Sequence, residues 1–381
     1  MPDRLSHARP KFIASDVYRA TNHGRRHPLA IPRVTLAMEI CRVLGWLNDG
    51  NFIDSPKATT ADLAHFHNPL YINAVAAAER DGSLPDDVAQ RHHIGINGNP
   101  IFDGMYQRPA TACGGGLLAA RMLMADQTEV IYAPGGGQHH GRPDRASGFC
   151  FFNEPALTIM TMLEQGAERV FYLDLDAHHG DGVQDAFADD ERVLTVSIHE
   201  SGRWPMARDR SGEGSVEDRA GGGARNLPVP QGFNDVELEY LMEAAVLPLL
   251  ADFSPDAIYL QAGADALADD PQSKLALSNS AIWRAVAAVR DSGSRLLVAG
   301  GGGYNPYSVG RCWAGIWATL CRVSIPDTLP DAAEACLRDV VWHHRLGRNA
   351  PEHWFTTLAD VPSVGPLRDE IKQLARTTLE P

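Results

Sequence analysis

Between about residues 110 and 320 the chain repeats one pattern, in which a short apolar run ends in glycine or polar residues and an amphipathic segment follows. Continuous apolar runs of this length are typical of strands that are buried on both faces of a parallel sheet. The runs predict strands at residues 130–132, 170–173, 193–196, 257–260 and 296–298, and the amphipathic segments predict helices at 155–165, 235–250 and 280–290. This alternation predicts an α/β fold with a central, mostly parallel sheet flanked by helices.

Two segments depart from this pattern. Residues 201–226 are rich in glycine and charge, which predicts a long surface loop. Residues 326–381 have a polar helical pattern and are expected to form a peripheral C-terminal extension. Because no Pro/Ser-rich linker interrupts the chain, we expect one domain that spans residues 1–381.

The composition is that of an ordinary globular protein, with 44% hydrophobic and 22% charged residues. The net charge of −14 argues against nucleic-acid binding, which needs a basic surface, and is compatible with a cationic substrate. The N-terminus lacks the apolar stretch of a secretory signal, and no apolar run is long enough to span a membrane. The six cysteines include no Cys-x-x-Cys pair, so we expect a reduced, cytoplasmic protein.

The predicted strands end in side chains that can bind metal. Asp174, Asp176 and His178 follow the second predicted strand, and Asp265 follows the fourth. Ligands bind beyond the carboxyl ends of strands in open α/β sheets, and two carboxylates with one imidazole can hold a divalent ion with an open position. Fe²⁺, Co²⁺ or Mn²⁺ would suit this set as well as Zn²⁺. The alternative is a helix N-terminus capped by aspartates.

A histidine pair, His139 and His140, follows the first predicted strand and three glycines. Asp174 and Asp181 could each orient one imidazole, which predicts a catalytic pair. Adjacent histidines also occur in ordinary surface loops, which is the interpretation we prefer for residues 92–93.

Tyr304 follows four glycines after the last predicted strand. The spacing of a dinucleotide-binding turn is not met, so the segment is better interpreted as a loop that aims the Tyr304 hydroxyl at the metal site. There the hydroxyl could donate a hydrogen bond to a developing oxyanion.

Together these segments resemble the histone deacetylase superfamily, which includes acetoin-utilisation proteins and acetylpolyamine amidohydrolases. The resemblance covers about residues 15–325 and implies the arginase/deacetylase-like fold, with about eight strands. Weaker similarity includes Arg33, which matches an internal arginine near the family's acetate-release channel. The matching stretches are residues 138–140, 146–150, 174–183, 263–265 and 301–305.

The resemblance implies a role for each candidate residue. Asp176, His178 and Asp265 would hold the metal ion, usually zinc. His140, paired with Asp181, would be the general base and then the acid for the leaving amine. His139, paired with Asp174, would act electrostatically, and Tyr304 would stabilise the oxyanion. Four residues would line a narrow acyl-lysine tunnel: Gly148, Phe149, Trp204 and Gly302.

The resemblance also implies a structural potassium ion near Asp174, Asp176, His178, Ser197 and Ile198. The chain departs from the typical eukaryotic pattern before residues 100–104, where Asn97 stands in the stretch that usually carries a substrate-clamping aspartate. The predicted activity is hydrolysis of a linear amide, and the substrate is a small-molecule or peptide acyl-amine. A homo-oligomer is compatible with the sequence.

Two alternatives remain open, an enzyme of related fold and a protein of another functional class. An arginase-like binuclear manganese ureohydrolase would carry a further aspartate in its Asp-Ala-His-x-Asp motif, and Gly180 occupies that position. A noncatalytic acyl-group binding protein would not need a base, an oxyanion donor and an open metal site together.

Overall fold

A computed structural model describes residues 9–19, 23–24, 27–206 and 214–380. Its centre is one sheet of eight parallel strands in the order β2-β1-β3-β8-β7-β4-β5-β6. The strands are β1 (Lys11–Ala14), β2 (Phe52–Asp54), β3 (Val130–Ala133), β4 (Val170–Asp174), β5 (Val193–Glu200), β6 (Ala224–Val229), β7 (Ala257–Gln261) and β8 (Arg295–Ala299).

The parallel sheet and its five central strands confirm the prediction. The three other strands, β1, β2 and β6, were not predicted, and β2 and β6 are the two edges of the sheet. The loop predicted at 201–226 is therefore wrong at its end, because residues 224–226 pair with β5. Residues 207–213 of that prediction lie outside the described residues, as do residues 1–8 of the N-terminus.

Helices flank the sheet. They are α1 (Val34–Val43), α2 (Thr60–Leu63), α3 (Pro69–Asp81), α4 (Asp86–His92), α5 (Gln107–Met124), α6 (Glu154–Glu164), α7 (Asp181–Ala186), α8 (Asp235–Leu241), α9 (Leu247–Phe253), α10 (Asn279–Arg290), α11 (Pro306–Leu320), α12 (Asp331–Arg338), α13 (His353–Thr356) and α14 (Asp369–Leu379). No helix in the described part of the chain is both long enough and apolar enough to cross a membrane.

Side-chain caps explain where several helices begin. Asn153, Ser278 and Asn305 accept hydrogen bonds from backbone N–H groups in the first turns of α6, α10 and α11. The helix predicted at 235–250 is interrupted by a π-helical turn at Met242–Val246. Pro248 in the first turn of α9 has no N–H to donate to the preceding turn, which accounts for the break.

The main hydrophobic core packs helices α1, α10 and α11 against the sheet, with Trp313 and Trp317 of α11 fully buried. Residues after 325 contribute to this same core through Leu337, Trp354 and Ile371. Arg311 of α11 is also fully buried, and its Nη2 lies 2.7 Å from Oδ1 of Asp360. Helix α11 thus links the C-terminal segment to the sheet.

Because all eight strands are parallel, their carboxyl ends lie along one edge of the sheet. β4 lies between β7 and β5, and in this register Asp174 is opposite both Gln261 and Ser197. The loops that follow β3, β4, β7 and β8 therefore start close together, as the rule for ligand sites in α/β sheets requires.

Candidate active site

Three predicted metal ligands converge at this edge. Asp176 and His178 lie in the loop between β4 and α7, and Asp265 lies in the loop after β7. All three residues are buried, and one ligand atom from each lies within 4.8 Å of the others. The structure therefore brings together side chains that are almost ninety positions apart in sequence.

The chemistry of this trio fits a divalent ion. Nδ1 of His178 lies 2.9 Å from Oδ2 of Asp265 and 3.1 Å from Oδ1 of Asp176, so two carboxylates face one imidazole nitrogen. Burial, together with the negative charge of Asp176, raises the pKa of Asp265. A divalent cation would remove this repulsion, and the O/O/N donor set suits Zn²⁺, Fe²⁺, Co²⁺ or Mn²⁺.

Backbone groups hold both carboxylates in place. The N–H of Gly302 donates to Oδ2 of Asp176 at 2.6 Å, and the N–H of Ala177 donates to Oδ1 of Asp265 at 2.9 Å. A Cβ added at Gly302 would overlap Oδ2 of Asp265. Glycine at position 302 thus allows the loop after β8 to approach the two carboxylates closely.

The predicted histidine–aspartate pairs are both present. Nδ1 of His139 lies 2.7 Å from Oδ2 of Asp174, and Nδ1 of His140 lies 2.7 Å from Oδ1 of Asp181. The imidazole rings are 3.8 Å apart between centroids, and all four residues are buried. Since Nδ1 is bound to the carboxylate in each pair, Nε2 is the nitrogen that remains for chemistry.

The two imidazoles differ in basicity. Burial lowers the pKa of His139, but the charges of Asp174 and Asp176 outweigh burial and raise it to about 9. For His140, burial and the neighbouring charge of His139 lower the pKa to about 3, although Asp181 opposes them. His140 is therefore the neutral imidazole of the pair near pH 7, and it can accept a proton.

Several supporting residues were missed by the sequence analysis. The hydroxyl of Tyr172 donates to Oδ2 of Asp174 at 2.6 Å, so this oxygen is held by Tyr172 as well as by His139. Arg142 donates to Oδ2 of Asp181 at 2.5 Å and also to Asp185. Buried Glu154 accepts the N–H of Gly137 at 2.8 Å, which anchors the turn before the histidines.

Of these supporting residues, only Arg142 could have been suspected from the sequence, because it closely follows the histidine pair. Tyr172 lies within a buried apolar strand, where its pattern is indistinguishable from that of a packing residue. Glu154 opens α6, a position at which an acidic residue is ordinarily interpreted as a partner of the helix dipole.

Tyr304 lies close to the metal ligand His178. Its ring centroid is 6.5 Å from that of His178 and 6.1 Å from that of Phe149. Its backbone N–H donates to Oδ2 of buried Asp270 at 2.6 Å, which fixes the end of the glycine loop. Burial raises the pKa of Tyr304 well above its ordinary value, so its hydroxyl remains a hydrogen-bond donor.

An outer cavity leads to this centre. It is lined by Gly148, Phe149 and Trp204, three residues that were predicted to form the substrate tunnel, and it reaches His140 and Tyr304. A Cβ at Gly148 would lie 2.5 Å from Cδ2 of His140 and would overlap the indole of Trp204. The fourth predicted wall residue, Gly302, lines a second, inner cavity.

The inner cavity continues past the metal ligands into the protein. It is lined by Tyr18, Arg33 and Arg108, and it shares His140, Gly148, Phe149, His178 and Tyr304 with the outer cavity. Nη1 of Arg33 donates to the carbonyl of Gly301 at 2.7 Å, so the guanidinium lies next to the glycine loop. The two cavities therefore meet beside His178, one of the three metal ligands.

The residues predicted for a potassium ion lie together in part. Asp174 and Ser197 are opposite each other in the register of β4 and β5. Both carboxylate oxygens of Asp174 already accept hydrogen bonds, and Oγ of Ser197 is 2.9 Å from Nδ1 of His199. The potassium ion, with Asp176, His178 and Ile198 as further neighbours, stays a prediction.

Known proteins resemble this chain in sequence and in structure. Residues 27–320 match the family model described as the histone deacetylase domain. The chain belongs to the histone deacetylase family. Putative histone deacetylase 2 of Caenorhabditis elegans is 33% identical over 315 residues, which are 81% of this chain and 61% of that protein. The chain thus spans less than two thirds of this relative. The acetoin utilization protein AcuC of Bacillus subtilis is 33% identical over 330 residues, 84% of each protein.

Solved structures agree with the fold. A crystal structure of an HDAC homologue in complex with SAHA is 33% identical to this chain, with a TM-score of 0.91 over 97% of this chain and 100% of that chain. An HDAC homologue from Aquifex aeolicus is 32% identical, with the same TM-score and coverage. These histone deacetylase relatives support a metal-dependent deacylase that acts on amides resembling acetyl-lysine.

Proposed function

We propose that the protein is a zinc-dependent deacylase that hydrolyses the linear amide of an acylated amine. The observation that carries this proposal is the convergence of Asp176, His178 and Asp265, with two histidine–aspartate pairs, at the point where the two cavities meet. A deacylase needs an open metal position, a base and an oxyanion donor around one bond, and this arrangement supplies candidates for all three.

Asp176, His178 and Asp265 would hold the divalent ion, which when bound supplies a Lewis acid that polarises the amide carbonyl and acidifies water. His140 takes the proton from the attacking water through Nε2 and then gives it to the nitrogen of the breaking C–N bond. Asp181 holds the required tautomer of His140 through the bond to Nδ1. Tyr304 donates its hydroxyl proton in a hydrogen bond to the developing oxyanion.

His139 has a different role in this proposal. Asp174 and Asp176 raise its pKa to about 9, which favours the protonated form near neutral pH and makes it a poorer candidate for the base than His140. Its positive charge next to His140 favours the neutral form of that base, so it acts electrostatically. Asp174, which also receives the hydroxyl of Tyr172, keeps His139 in this state.

The substrate would enter through the outer cavity, with its aliphatic stem between Phe149 and Trp204. The amine portion beyond the stem would lie near Asn97, which is exposed and lines the mouth of the cavity. A structural potassium ion beside β4 and β5 is part of the proposal. We also propose a cytoplasmic location, because all six cysteines are free thiols.

The test measures acetate release from acetyl-lysine peptides and acetylpolyamines by the purified protein, with and without a chelator. We expect turnover that the chelator abolishes and that added zinc restores. Tyr304→Phe should lower kcat by about 10²- to 10³-fold at unchanged metal content, because it removes one oxyanion donor. Urea release would instead favour the arginase-like alternative, and metal binding without turnover would favour a noncatalytic binding protein.

A further inference from the structure

The mouth of the outer cavity has an unexpected charge distribution. Three arginines line it, Arg142, Arg145 and Arg203, although the chain as a whole carries a net charge of −14. Among the described residues that line this cavity, Asp181 provides the one carboxylate, and it is buried below the mouth. Among the described residues that line the mouth, the exposed charged groups are therefore guanidiniums, and the exposed carboxylates of Asp144 and Asp185 beside them do not line the cavity.

The three arginines are not equivalent. Arg142 is bound to Asp181 and Asp185, and its side chain is 11% exposed. Its hydrogen-bond donors are used to hold the partner of the catalytic base, so we assign it to the catalytic pair. Arg142 is consequently a poor candidate for direct contact with a substrate.

Arg203 is fixed at the mouth by a buried partner. Its Nε and Nη2 donate to the two carboxylate oxygens of Glu200, at 2.5 Å and 2.9 Å, and the Glu200 side chain is 2% exposed. This fork-like pairing sets the plane of the guanidinium and does not engage Nη1. The carboxylate of Glu200 does not line the cavity, so the positive end of the pair faces the mouth.

Arg145 is the most exposed of the three. Its Nη1 lies 3.0 Å from Oδ1 of the adjacent Asp144, and the two side chains are 42% and 56% exposed. An exposed pair of this kind is weak and competes with water, so the guanidinium can turn to another anion at little cost. The uncharged side chain of Asn97 lies on the same rim and offers no opposing charge.

We propose that this rim selects acylated amines that carry a carboxylate beyond the amine stem, with Arg145 and Arg203 as the recognising residues. The proposal rests on the deacylase function proposed above and specifies its substrate class. An acylated lysine with a free α-carboxylate, alone or at a peptide C-terminus, has this chemistry. A polyamine would instead bring an ammonium group towards guanidinium groups.

The test compares three amides with the same five-carbon stem and different charge. They are Nα,Nε-diacetyl-lysine with charge −1, its neutral carboxamide, and N-acetylcadaverine with charge +1. We expect kcat/KM for ε-deacetylation to decrease in this order, by about three- to fivefold at each step, which is the size of a weak, partly exposed ion pair. High salt should reduce these differences.

The variant Arg145→Glu should lower the ratio of carboxylate to carboxamide kcat/KM by about fivefold or more. Arg80→Glu is the matched control, because Arg80 is exposed on α3 and pairs with its neighbour Asp81 as Arg145 pairs with Asp144. The control should keep the parent ratio, since residue 80 does not line the cavity.

Two results would overturn the inference in distinguishable ways. Hydrolysis of all three amides at equal kcat/KM, or the same ratio in Arg145→Glu and the parent, would refute charge selection and leave the deacylase function standing. Hydrolysis of none of them by the zinc-loaded parent would refute the proposed function, and this inference would fail with it.

Discussion

Gly302→Ala adds one methyl group where the loop after β8 meets the two carboxylates of the metal site. The new Cβ would overlap Oδ2 of Asp265, lie 2.6 Å from its Cγ and lie 2.9 Å from Oδ2 of Asp176. Real Cβ atoms essentially never approach closer than 3.0 Å, so the Asp265 carboxyl carbon must move by roughly 0.4 Å and its oxygen further. Metal–ligand distances tolerate only about 0.2 Å.

The displaced carboxylate should therefore weaken metal binding strongly. We expect at least the roughly 10- to 100-fold loss in affinity that is typical of mutating groups that only orient the ligands. The assay loads the variant and the parent with one equivalent of zinc, dialyses both and measures metal content by elemental analysis. The unfolding temperature with and without added zinc gives a second measurement. An ion that binds only the folded state raises the unfolding temperature of the parent.

Gly82→Ala is the control for a general loss of stability. Gly82 ends α3 with a φ of +69°, and a Cβ there would meet nothing within 4 Å. Alanine at this position strains the backbone by about 1 kcal/mol without touching the site. The control should thus unfold at a lower temperature and retain zinc. Full zinc content in Gly302→Ala, with the same zinc-dependent stabilisation as the parent, would refute this account of the loop.

Three further predictions concern the site. Asp265→Asn should lose both metal and turnover, and elemental analysis showing full occupancy would remove it from the ligand set. Asp181→Asn should lower kcat/KM by about 10²-fold at unchanged metal content, because His140 loses the partner that fixes its tautomer; a less than threefold decrease would contradict the pairing. Burial and the charge of His139 lower the pKa of His140 to about 3, so the base stays neutral as the pH falls through 6.5, and the acid limb of the kcat/KM profile should have its midpoint below 6.5. A midpoint above 6.5 with metal fully bound would contradict the lowered pKa of His140.

The sequence was sufficient for the five strands from β3 to β5 in the sheet order and insufficient for the two edge strands, β2 and β6, and for β1 beside β2. β4, β7 and β8 are buried on both faces, so nearly every position in them is apolar and the pattern is unambiguous. β2 has three residues and is only partly buried, and β6 contains arginine, asparagine and proline. Edge strands satisfy fewer packing constraints, which is why their sequences carry a weaker signal.

The residues of the site were likewise predictable in part. The metal ligands and the histidine pair follow predicted strands, so the parallel sheet alone implied that they would meet. The contact of Tyr172 with Asp174 depends on side-chain direction inside the sheet, which periodicity does not report. The assignment of residues 92–93 to an ordinary surface loop is wrong for His92, which is buried and bonded to the carbonyl of Asp144.

The burial of Arg311 has a consequence for how this protein can be shortened. The family match ends at residue 320, yet the chain beyond it supplies the carboxylate of Asp360 beside this guanidinium and the carbonyl of Thr357 that accepts its Nε–H. Truncation at the family boundary would remove both partners of the Arg311 guanidinium and would uncover the apolar face of α11. The smallest stably folding fragment should therefore extend well past residue 320, to include residue 371 of α14, whose side chain belongs to the same core.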